Sequence, residues 1–422
     1  MAAAPEAAPV SAEEAHSLLD SLRRHDHAAL AVSGGSDSMA LLWLAAQWAK
    51  PAAGPQFSVL TVDHGLRAEA AAEAEEVVRA AAALGLDAHI LRWSGPKPRT
   101  GLQEQARAAR YRLMGEWCLA HGATVLVTAH TLDDQAETVF MRLARGSGAE
   151  GLAAMPSLSE GNPPIARPLL GVSRGRLRAT LVAAGRRWID DPSNEDERFE
   201  RIRLRGLMPA LADRGLTATQ IARSATRLAR ANAALDQATA SALAEIAAVK
   251  PEGFAVIDRE AFMALPEEIA LRIVSRLLPR FGGRSAPPRL LAVEALHNWI
   301  TGEEGTARTL AGCRIVRRKR EIVIGREPGR LGLEPAPLGP GQAQLWDNRF
   351  AVAVGGTDRP CAVMPAGAFS AVPRSKDLPA FVQATLPAIL IDGELAAIPA
   401  LGFRSPRAPA GFSAVAAFGG RV

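Results

Sequence analysis

A short polar segment, "SGGSDS" at residues 33–38, stands between an apolar strand-like stretch and an apolar helical pattern. Its adjacent glycines, Gly34 and Gly35, lack the Cβ atoms that would keep an anion away from backbone N–H groups. Ser36 or Asp37 can cap the following helix, whose N-terminus carries roughly half a positive charge. The segment is therefore expected to cradle a phosphate. It lacks the lysine and the spacing of the GxxxxGK(S/T) loop, and an ordinary glycine-rich turn is the alternative.

Two further polar clusters follow apolar stretches of the chain. "VDHGLR" carries Asp63 and His64, a pair that is also common in plain turns. "HTLDDQAET" carries Asp133 and Glu137, which are four residues apart and so share one face of a helix. We expect this helix to begin at Thr131, with the threonine as its cap. Acids are favoured at any helix N-terminus, so simple capping is the alternative to a catalytic role.

Strand-like and helix-like segments alternate through the first half of the chain. "HAALAVSG", "FSVLTVDHG", "DAHILRW" and "ATVLVTAH" have the pattern of strands, and the segments between them have the pattern of helices. Continuous apolar strands that alternate with helices predict a parallel sheet covered on both faces. Ligands of such sheets bind at the carboxyl ends of the strands. The three polar clusters follow those ends, so the pattern predicts one site at that edge.

Six motifs in order resemble those of the tRNA(Ile)-lysidine synthetase family of PP-loop ATP-pyrophosphatases: "SGGSDS", "DHGLR", "HTLDDQAET", "RGSGAEGLAAM", "RPLL" and "DPSNEDERFERIRLR". "SGGSDS" is similar to the pyrophosphate-binding loop of that superfamily. The resemblance implies an α/β, parallel-sheet PP-loop domain that is Rossmann-like and similar to adenine nucleotide alpha hydrolases, over residues 1–215. A mainly helical or mixed tRNA-binding domain over 216–330 and a small α+β C-terminal tRNA-recognition domain over 331–422 are expected to follow.

The resemblance also implies a reaction. The family ligates free L-lysine to C2 of the wobble cytidine of isoleucine tRNA with a CAU anticodon, which gives lysidine and AUA decoding. An O2-adenylated base is the intermediate, and ATP is cleaved to AMP and pyrophosphate. ATP and Mg²⁺ are the implied cofactors, with Asp37 as a Mg²⁺ ligand. The implied catalytic residues are Asp37, His130, Asp133 and Asp134. The implied nucleotide-binding residues are Ser33, Gly34, Gly35, Ser36, Asp37, Ser38, Asp63 and His64.

Further substrate contacts are expected after the third motif. The implied residues are Arg67, Glu137, Arg145, Gly146, Gly148, Arg201 and Arg205. The glycine-rich "RGSGAEGL" can close on substrate or be a plain surface loop. The family has an asparagine where this chain has Ile202, which puts the roles of the neighbouring arginines in doubt.

Two basic stretches in the second half are candidates for contact with the tRNA backbone. One is an Ala-rich segment from Thr217 to about Lys250, which is expected to be one long helix, and the other includes "CRIVRRKR", which is expected to be a hairpin. The candidate residues are Arg223, Arg227, Arg230, Arg317, Arg318 and Lys319. A solvated charged face is the alternative for both stretches.

The composition agrees with a nucleic-acid partner. Lys and Arg number 49 against 44 Asp and Glu, and the planar fork of arginine suits phosphate, although a GC-rich genome would also favour arginine. No apolar stretch approaches the roughly 20 residues of a membrane span, and the N-terminus lacks the basic region of a secretory signal. We therefore expect a cytoplasmic enzyme, and the family resemblance is compatible with a homodimer.

Three other functions are open at this point. A PP-loop tRNA thiolase would form the same adenylate, but it requires persulfide cysteines or an iron–sulfur cluster, and the three cysteines here form no CxxC pair. An amide-forming synthetase of the same superfamily would carry a glutaminase domain, which the sequence does not indicate. A non-catalytic module that binds ATP or tRNA would not need acids after three strands.

Overall fold

The computed structural model describes residues 7–49, 54–66, 69–95, 97, 101–190, 200–284, 288–303, 305–329, 333–339, 341, 343–370, 372 and 374–419. The chain divides into two compact units, up to Ala233 and from Ala234 onward. Within the described residues, no helix is both long and apolar enough to cross a membrane.

The first unit is a six-stranded sheet with helices on both faces. Its strands are β1 (His27–Ala31), β2 (Gln56–Asp63), β3 (Asp87–Arg92), β4 (Val125–Val127), β5 (Leu158–Ser159) and β6 (Ile165–Ala166). Its helices are α1 (Ala12–Leu19), α2 (Ser36–Ala49), α3 (Ala70–Ala82), α4 (Leu102–His121), α5 (Leu132–Ala144), α6 (Ala149–Leu152), α7 (Arg174–Ala183), α8 (Glu200–Ala212) and the start of α9 (Ala218–Ile246).

The sheet has the order β3-β2-β1-β4-β6-β5, and only the edge strand β5 runs antiparallel to its neighbour. Leu30 of β1 pairs with Val59 of β2 and with Val127 of β4. Successive side chains of a strand point to opposite faces. Leu30 accordingly belongs to the core beneath α2 and α7, and Ala29 belongs to the core with Trp117 of α4. The predicted parallel sheet covered on both faces is confirmed, and the carboxyl ends of β1, β2 and β4 share one edge.

The second unit contains antiparallel sheets and helices. Its first part comprises β7 (Ala247–Lys250), β8 (Phe254–Asp258), α10 (Arg259–Met263), α11 (Glu267–Gly282), α12 (Leu290–Thr301), β9 (Ala307–Leu310), β10 (Cys313–Arg317) and β11 (Glu321–Arg326). Its second part comprises β12 (Ala336–Leu338), β13 (Gln344–Trp346), β14 (Phe350–Gly355), β15 (Cys361–Pro365), α13 (Ala380–Gln383), β16 (Pro387–Ile391), β17 (Glu394–Ile398), β18 (Phe403–Arg404) and β19 (Ser413–Phe418).

The predicted hairpin is confirmed, because β10 and β11 pair antiparallel. The Ala-rich helix differs from the prediction at its C-terminal end. It stops at Ile246, and the next four residues form β7, which pairs with β8. The reversal between these strands uses Gly253 at φ +80°, a left-handed conformation that favours glycine. Local helical propensity therefore yields to strand pairing at this end. The domain boundaries inferred from the sequence stay predictions.

A buried ionic trio, Arg326, Asp347 and Arg349, links β11 to the turn between β13 and β14. The Asp347 carboxylate accepts hydrogen bonds from Nε of Arg326 at 3.0 Å and from Nε of Arg349 at 2.5 Å. The three side chains are 1–3% exposed. One carboxylate therefore contacts two guanidinium groups out of contact with water, where a charge is expensive without a partner.

We predict that Asp347→Asn destabilises the second unit by about 3–5 kcal/mol, because the amide keeps the shape of the carboxylate but removes the charge that both arginines share. Hydrogen exchange of the β11 and β14 amides measures this change in the free energy of opening. Asp392→Asn is the matched control, since Asp392 pairs with Arg359 at the surface and its loss changes stability by at most about 1 kcal/mol. Equal protection in the two variants would contradict the prediction.

Candidate active site at the carboxyl edge of the parallel sheet

The "SGGSDS" loop leaves the carboxyl end of β1 and is closed by its own last residue. The Ser38 hydroxyl accepts from the Ser33 N–H at 3.1 Å and donates to the Gly35 carbonyl at 2.9 Å. Gly34 lies at φ +87°, and a Cβ there would come within 2.8 Å of Cδ1 of Ile189. The Ile189 N–H also donates to the Gly34 carbonyl at 2.9 Å. The glycine is thus favoured by its backbone angle, and a methyl group there would also displace the tip of the Ile189 side chain.

The same loop places the start of α2 at the edge of the sheet. The Met39 N–H donates to the Gly35 carbonyl, so the N–H groups of residues 36–38 precede the hydrogen-bond ladder of the helix. Unpaired N–H groups and the helix dipole together make such a terminus an anion-binding site. The geometry is therefore that of the phosphate cradle expected from the sequence.

Helix α5 begins at the carboxyl end of the neighbouring strand β4 and is capped as predicted. Thr131 is its N-cap: its hydroxyl accepts from the Asp134 N–H at 3.3 Å, while Oδ2 of Asp134 accepts from the Thr131 N–H at 2.8 Å. This reciprocal arrangement is a capping box. It uses one oxygen of Asp134 and leaves Oδ1 for other groups. Oδ2 of Asp133 accepts from the backbone N–H of Arg174 at 2.8 Å, which fixes the start of α7 against α5.

Three arginines and three acids form an ion-pair cluster, which we call the arginine–carboxylate cluster. Its members are Asp37, Asp134, Glu137, Arg174, Arg201 and Arg205. Arg174 donates from Nε to Asp37 at 3.0 Å and from a terminal nitrogen to Asp134 at 3.1 Å. It also approaches Glu137 at 3.6 Å. The cluster therefore joins the loop at α2 to α5 and α7.

Helix α8 supplies the other two arginines of this cluster. Arg201 donates to Asp134 at 2.7 Å and to Glu137 at 2.5 Å, and Arg205 donates to Glu137 at 2.9 Å. Glu137 is only 1% exposed, so its charge depends on these contacts. The structure thus brings together five residues for which the sequence predicted roles, namely Asp37, Asp134, Glu137, Arg201 and Arg205.

Burial and ion pairing act in opposite directions on the two central acids. Burial raises the pKa of Asp37 above its usual value, although Arg174 opposes the effect. Burial would also raise the pKa of Asp134, but Arg201 and Arg174 together lower it below the usual value. Asp134 is therefore held firmly as an anion, and Asp37 is the more easily protonated of the two.

A cavity of about 340 Å³ lies beside the cluster, within the first unit. Its lining residues are Asp133, Glu137, Arg174, Arg205, Met208, Pro209, Ala212 and Ala218. Carboxylates and guanidinium groups thus share one small space, whose volume lies within the range of about 300–1,000 Å³ usual for small-molecule sites. Such walls suit a ligand that carries both signs of charge.

Two histidines stand at the same edge and remain neutral near pH 7. Burial lowers the pKa of His64 and of His130 to about 4, and nearby arginines add to the effect. Nδ1 of His130 is 2.8 Å from the Thr128 hydroxyl. Asp63, the last residue of β2, accepts from the Gly65 N–H at 2.8 Å and so shapes the turn that follows.

The remaining predicted residues lie apart from the cluster. Arg145 is exposed and pairs with Glu200 at 2.6 Å. Gly146 lies at φ +68°, and Gly148 is the N-cap of α6. Arg67 and the acidic half of "DPSNEDERFERIRLR" lie outside the described residues.

Five of the six candidate tRNA contacts are exposed, on α9 or after β10: Arg223, Arg227, Arg230, Arg318 and Lys319. Arg317 differs, because its side chain is buried and donates to the carbonyls of Trp299 and Gly305 at 2.7 Å each. Its guanidinium therefore satisfies buried carbonyl groups of the second unit.

Sequence reasoning missed two arginines that the structure places at the site, Arg174 and Arg110. Arg174 is the first residue of α7 and follows the N-cap Ser173. Its position shortly after the "RPLL" motif is the sequence feature that could have marked it as a site residue. Arg110 lies on α4, where a terminal nitrogen is 3.4 Å from Nε2 of His64. The sequence feature that could have pointed to Arg110 is a pair of arginines, Arg107 and Arg110, three residues apart near the start of a helix.

Comparisons with known proteins agree with this geometry. The model of the PP-loop domain family matches residues 8–211. A tRNA(Ile)-lysidine synthase of Rhodopseudomonas palustris is 47% identical over 334 residues, which cover 78% of this chain and 96% of that protein. This chain belongs to the tRNA(Ile)-lysidine synthase family. A second tRNA(Ile)-lysidine synthase, from Bradyrhizobium diazoefficiens, is 44% identical over 353 residues, and the match covers 78% of this chain and 95% of that protein. The predicted family and the PP-loop fold of the first unit are confirmed.

For a tRNA(Ile)-lysidine synthase with this loop, we predict that Gly34→Ala and Gly35→Ala have different effects. Gly34→Ala destabilises the protein by about 1–2 kcal/mol, because alanine is strained at positive φ and its methyl group crowds Ile189. Gly35→Ala leaves stability within about 0.5 kcal/mol of wild type, since the nearest atom to its Cβ is the Ser33 hydroxyl at 3.9 Å. It weakens ATP binding instead, because the methyl group enters the open space of the cradle.

Thermal unfolding and calorimetric titration with ATP separate the two effects. Equal losses of stability in the two variants would show that neither the backbone angle nor the approach of Ile189 sets Gly34 apart from Gly35.

Proposed function

We propose that this protein ligates the ε-amine of free L-lysine to C2 of the wobble cytidine of isoleucine tRNA with a CAU anticodon, using ATP. One observation carries the proposal. Arg174 donates to Asp37 in the phosphate cradle at α2 and to Asp134 at the acidic start of α5, and so holds the two together. Relatives that the chain matches over most of their length are tRNA(Ile)-lysidine synthases. We place the reaction in the cytoplasm, where its substrates are.

Two displacements complete the reaction. Cytidine O2 attacks the α-phosphorus of ATP, an O–P bond forms, and pyrophosphate leaves with the electrons of the broken bond. The lysine amine then attacks C2, the C2–O bond breaks, AMP departs and the amine loses a proton. The N–H groups of residues 36–38 and the dipole of α2 are placed to hold the departing pyrophosphate.

Asp37 fits the role of a magnesium ligand. Mg²⁺ prefers oxygen ligands, keeps several waters and is commonly held by one or two carboxylates with substrate phosphates. Oδ2 of Asp37 is engaged by Arg174, whereas Oδ1 accepts only a 3.3 Å bond from Ser36. In the described part of the chain, no three His, Cys, Asp or Glu side chains are arranged to hold a metal ion by themselves, so phosphate oxygens and water would complete the ligand set. The bound ion would neutralise charge on the leaving pyrophosphate.

Free lysine is proposed to occupy the cavity beside the arginine–carboxylate cluster. Asp133 and Glu137 can accept from an ammonium group, and Arg174 and Arg205 can donate to the α-carboxylate. Arg205 is already paired with Glu137, so a lysine ammonium must replace part of that ion pair.

The attacking amine must be neutral, and its proton requires an acceptor. His130, Asp133 and Asp134 are the candidate bases. His130 is neutral near pH 7 because burial depresses its pKa to about 4, which leaves a ring nitrogen free of a proton but makes it a weak base. Asp134 is ionised, but its carboxylate is engaged by Arg174 and Arg201.

The exposed basic residues of α9 and of the β10–β11 turn are proposed to contact the tRNA backbone. They are Arg223, Arg227, Arg230, Arg318 and Lys319. Contacts of this kind release counterions, so tRNA affinity should fall steeply with salt. The C-terminal region is proposed to complete tRNA recognition.

Two of the three cysteines have environments that do not favour the thiolase alternative. Cys118 and Cys313 are buried, and burial raises the pKa of their thiols to about 11 and about 12. Sulfur transfer relies on accessible thiolates, which such environments disfavour.

The deciding experiment supplies the protein with ATP, Mg²⁺, radiolabelled lysine and a transcript of isoleucine tRNA with a CAU anticodon. We expect label in this tRNA but not in methionine tRNA. Asp37→Ala should abolish the label, whereas Asp213→Ala, which removes an exposed acid, should not. No label with wild type, together with ATP–pyrophosphate exchange that depends on tRNA, would keep the adenylation and assign the second step to another nucleophile.

Glu137→Gln tests the proposed lysine site. We expect the KM for lysine to rise about ten-fold or more, because an amide cannot replace the charge that receives the ammonium group. The KM for ATP should change little. Glu150→Gln is the control, since Glu150 is exposed on α6. An equal rise in both KM values would place Glu137 in the fold of the site rather than in lysine recognition.

A further inference from the structure

Arg178 is a second arginine of α7 that reaches the start of α2. It follows Arg174 by four residues, so the two side chains lie on the same face of the helix. Arg174 donates to Asp37, and Nε of Arg178 donates to the hydroxyl of the neighbouring Ser36 at 3.4 Å. Leu177 is fully buried in the core that α7 shares with α2, which fixes the backbone that carries Arg178. One helix therefore directs two guanidinium groups at successive residues of the phosphate cradle.

The two arginines differ in how firmly they are held. The side chain of Arg174 is 17% exposed and contacts three acids. The side chain of Arg178 is 52% exposed, and a terminal nitrogen lies 3.8 Å from Oδ1 of Asp190, which is itself 77% exposed. An ion pair of that length and exposure contributes little to stability. Arg178 can therefore exchange Asp190 for a ligand easily, whereas Arg174 is already engaged.

Asp190 keeps the guanidinium of Arg178 beside the cradle when no ligand is bound. Oδ1 of Asp190 also accepts from the indole N–H of Trp188 at 3.0 Å, which orients the carboxylate. Between them, the Ile189 N–H donates to the Gly34 carbonyl at 2.9 Å, so the segment is attached to the cradle through its backbone. Arg178 is thus held at the rim of the cradle instead of extending into solvent.

A leaving pyrophosphate needs more positive charge than the arginine–carboxylate cluster supplies. The cluster contains three acids and three arginines, so its formal charges cancel. The "SGGSDS" loop has no lysine, in contrast to the GxxxxGK(S/T) loop. Pyrophosphate carries several negative charges, and cations placed where charge develops favour its departure. An arginine suits this position, because its planar fork binds phosphate oxygens in pairs.

We propose that Arg178 binds the two outer phosphates of ATP and the pyrophosphate formed from them, and that it exchanges Asp190 for phosphate oxygens when it does so. The N–H groups of residues 36–38 hold the same phosphates from the start of α2, and Arg178 adds a charge from the side of α7. Arg178 makes and breaks no covalent bond. The proposal rests on the proposed function for the identity of the leaving group.

Ligand binding separates this role from a structural one. Arg178→Gln is compared with Arg79→Gln, because Arg79 is an exposed helix residue whose ion pair with Glu75 is also 3.8 Å long. Calorimetric titrations with ATP, magnesium pyrophosphate and AMP give three affinities for each variant. We expect Arg178→Gln to weaken binding of ATP and of pyrophosphate by about ten-fold or more and that of AMP by less than about two-fold, since AMP lacks both outer phosphates. Arg79→Gln should change all three by less than about two-fold.

Two results would overturn the proposal. One is an affinity of Arg178→Gln for ATP and pyrophosphate within about two-fold of wild type. The other is an equal loss for all three ligands, which would assign Arg178 to the shape of the cradle. Arg178→Lys keeps the charge without the fork, so we expect it to retain an intermediate affinity for pyrophosphate. This variant replaces Arg178→Gln, with the same three ligands, if the glutamine variant does not fold.

Asp190→Asn tests the exchange of partners. The amide oxygen can still accept from Trp188, but the charge that competes for Arg178 is removed. We therefore expect the affinity for pyrophosphate to equal or exceed that of wild type. A loss as large as that of Arg178→Gln would show that the ion pair serves the fold of the loop, and the proposal would be wrong.

These titrations do not depend on lysidine formation. If wild type incorporates no lysine but binds pyrophosphate through Arg178, the proposed function is refuted and the assignment of Arg178 stands. If wild type incorporates lysine and Arg178→Gln binds pyrophosphate as wild type does, only the assignment of Arg178 fails.

Discussion

The guanidinium of Arg174 is the interaction on which the arrangement of the site depends. It bonds to Asp37 from the loop after β1 and to Asp134 from the helix after β4, and it approaches Glu137 as well. Without cations, three acids at one edge of a sheet would repel each other and also any polyphosphate. With Arg174 between them, two neighbouring strand ends can present acids beside a phosphate cradle. The ion pairs thus make the edge compatible with substrates of both charges.

The two faces of the sheet contribute different electrostatics to this edge. On the face of α2 and α7, acids and arginines are paired, and a charged ligand must exchange with an existing partner. On the face of α4, His64 and His130 are neutral because burial holds the pKa of each near 4, and Arg110 has no carboxylate partner among the described residues. The α4 face therefore carries a cation without a described carboxylate partner, while the opposite face carries acids that are already paired. The proposed reaction, which joins an amine to an adenylated base, requires groups of both kinds.

The sequence was informative where chemistry is local. The glycine loop, the Thr131 cap and the apolar strands each depend on neighbours within a few residues, and all were predicted. Arg174 was not, because its partner Asp37 is 137 residues away and no periodic pattern connects them. Arg317 was predicted to contact the tRNA backbone because a charged residue is usually exposed, yet its guanidinium satisfies buried carbonyls. The end of α9 was misplaced because strand pairing with β8 overrides helical propensity there. Tertiary partners decided each of these cases.

The Asp347 ion pairs and the arginine–carboxylate cluster have the same chemistry and different surroundings. Asp347 with Arg326 and Arg349 is 1–3% exposed in the second unit and is sealed by packing, so its only consequence is to fix strands and turns. The arginine–carboxylate cluster borders a cavity of about 340 Å³, and Arg201 and Arg205 are 35% and 37% exposed. Ion pairs at such a border can exchange partners without unfolding the core, because water and ligands reach one side of them. Access to the charges, rather than the charges themselves, is therefore what distinguishes a site from a structural bridge here.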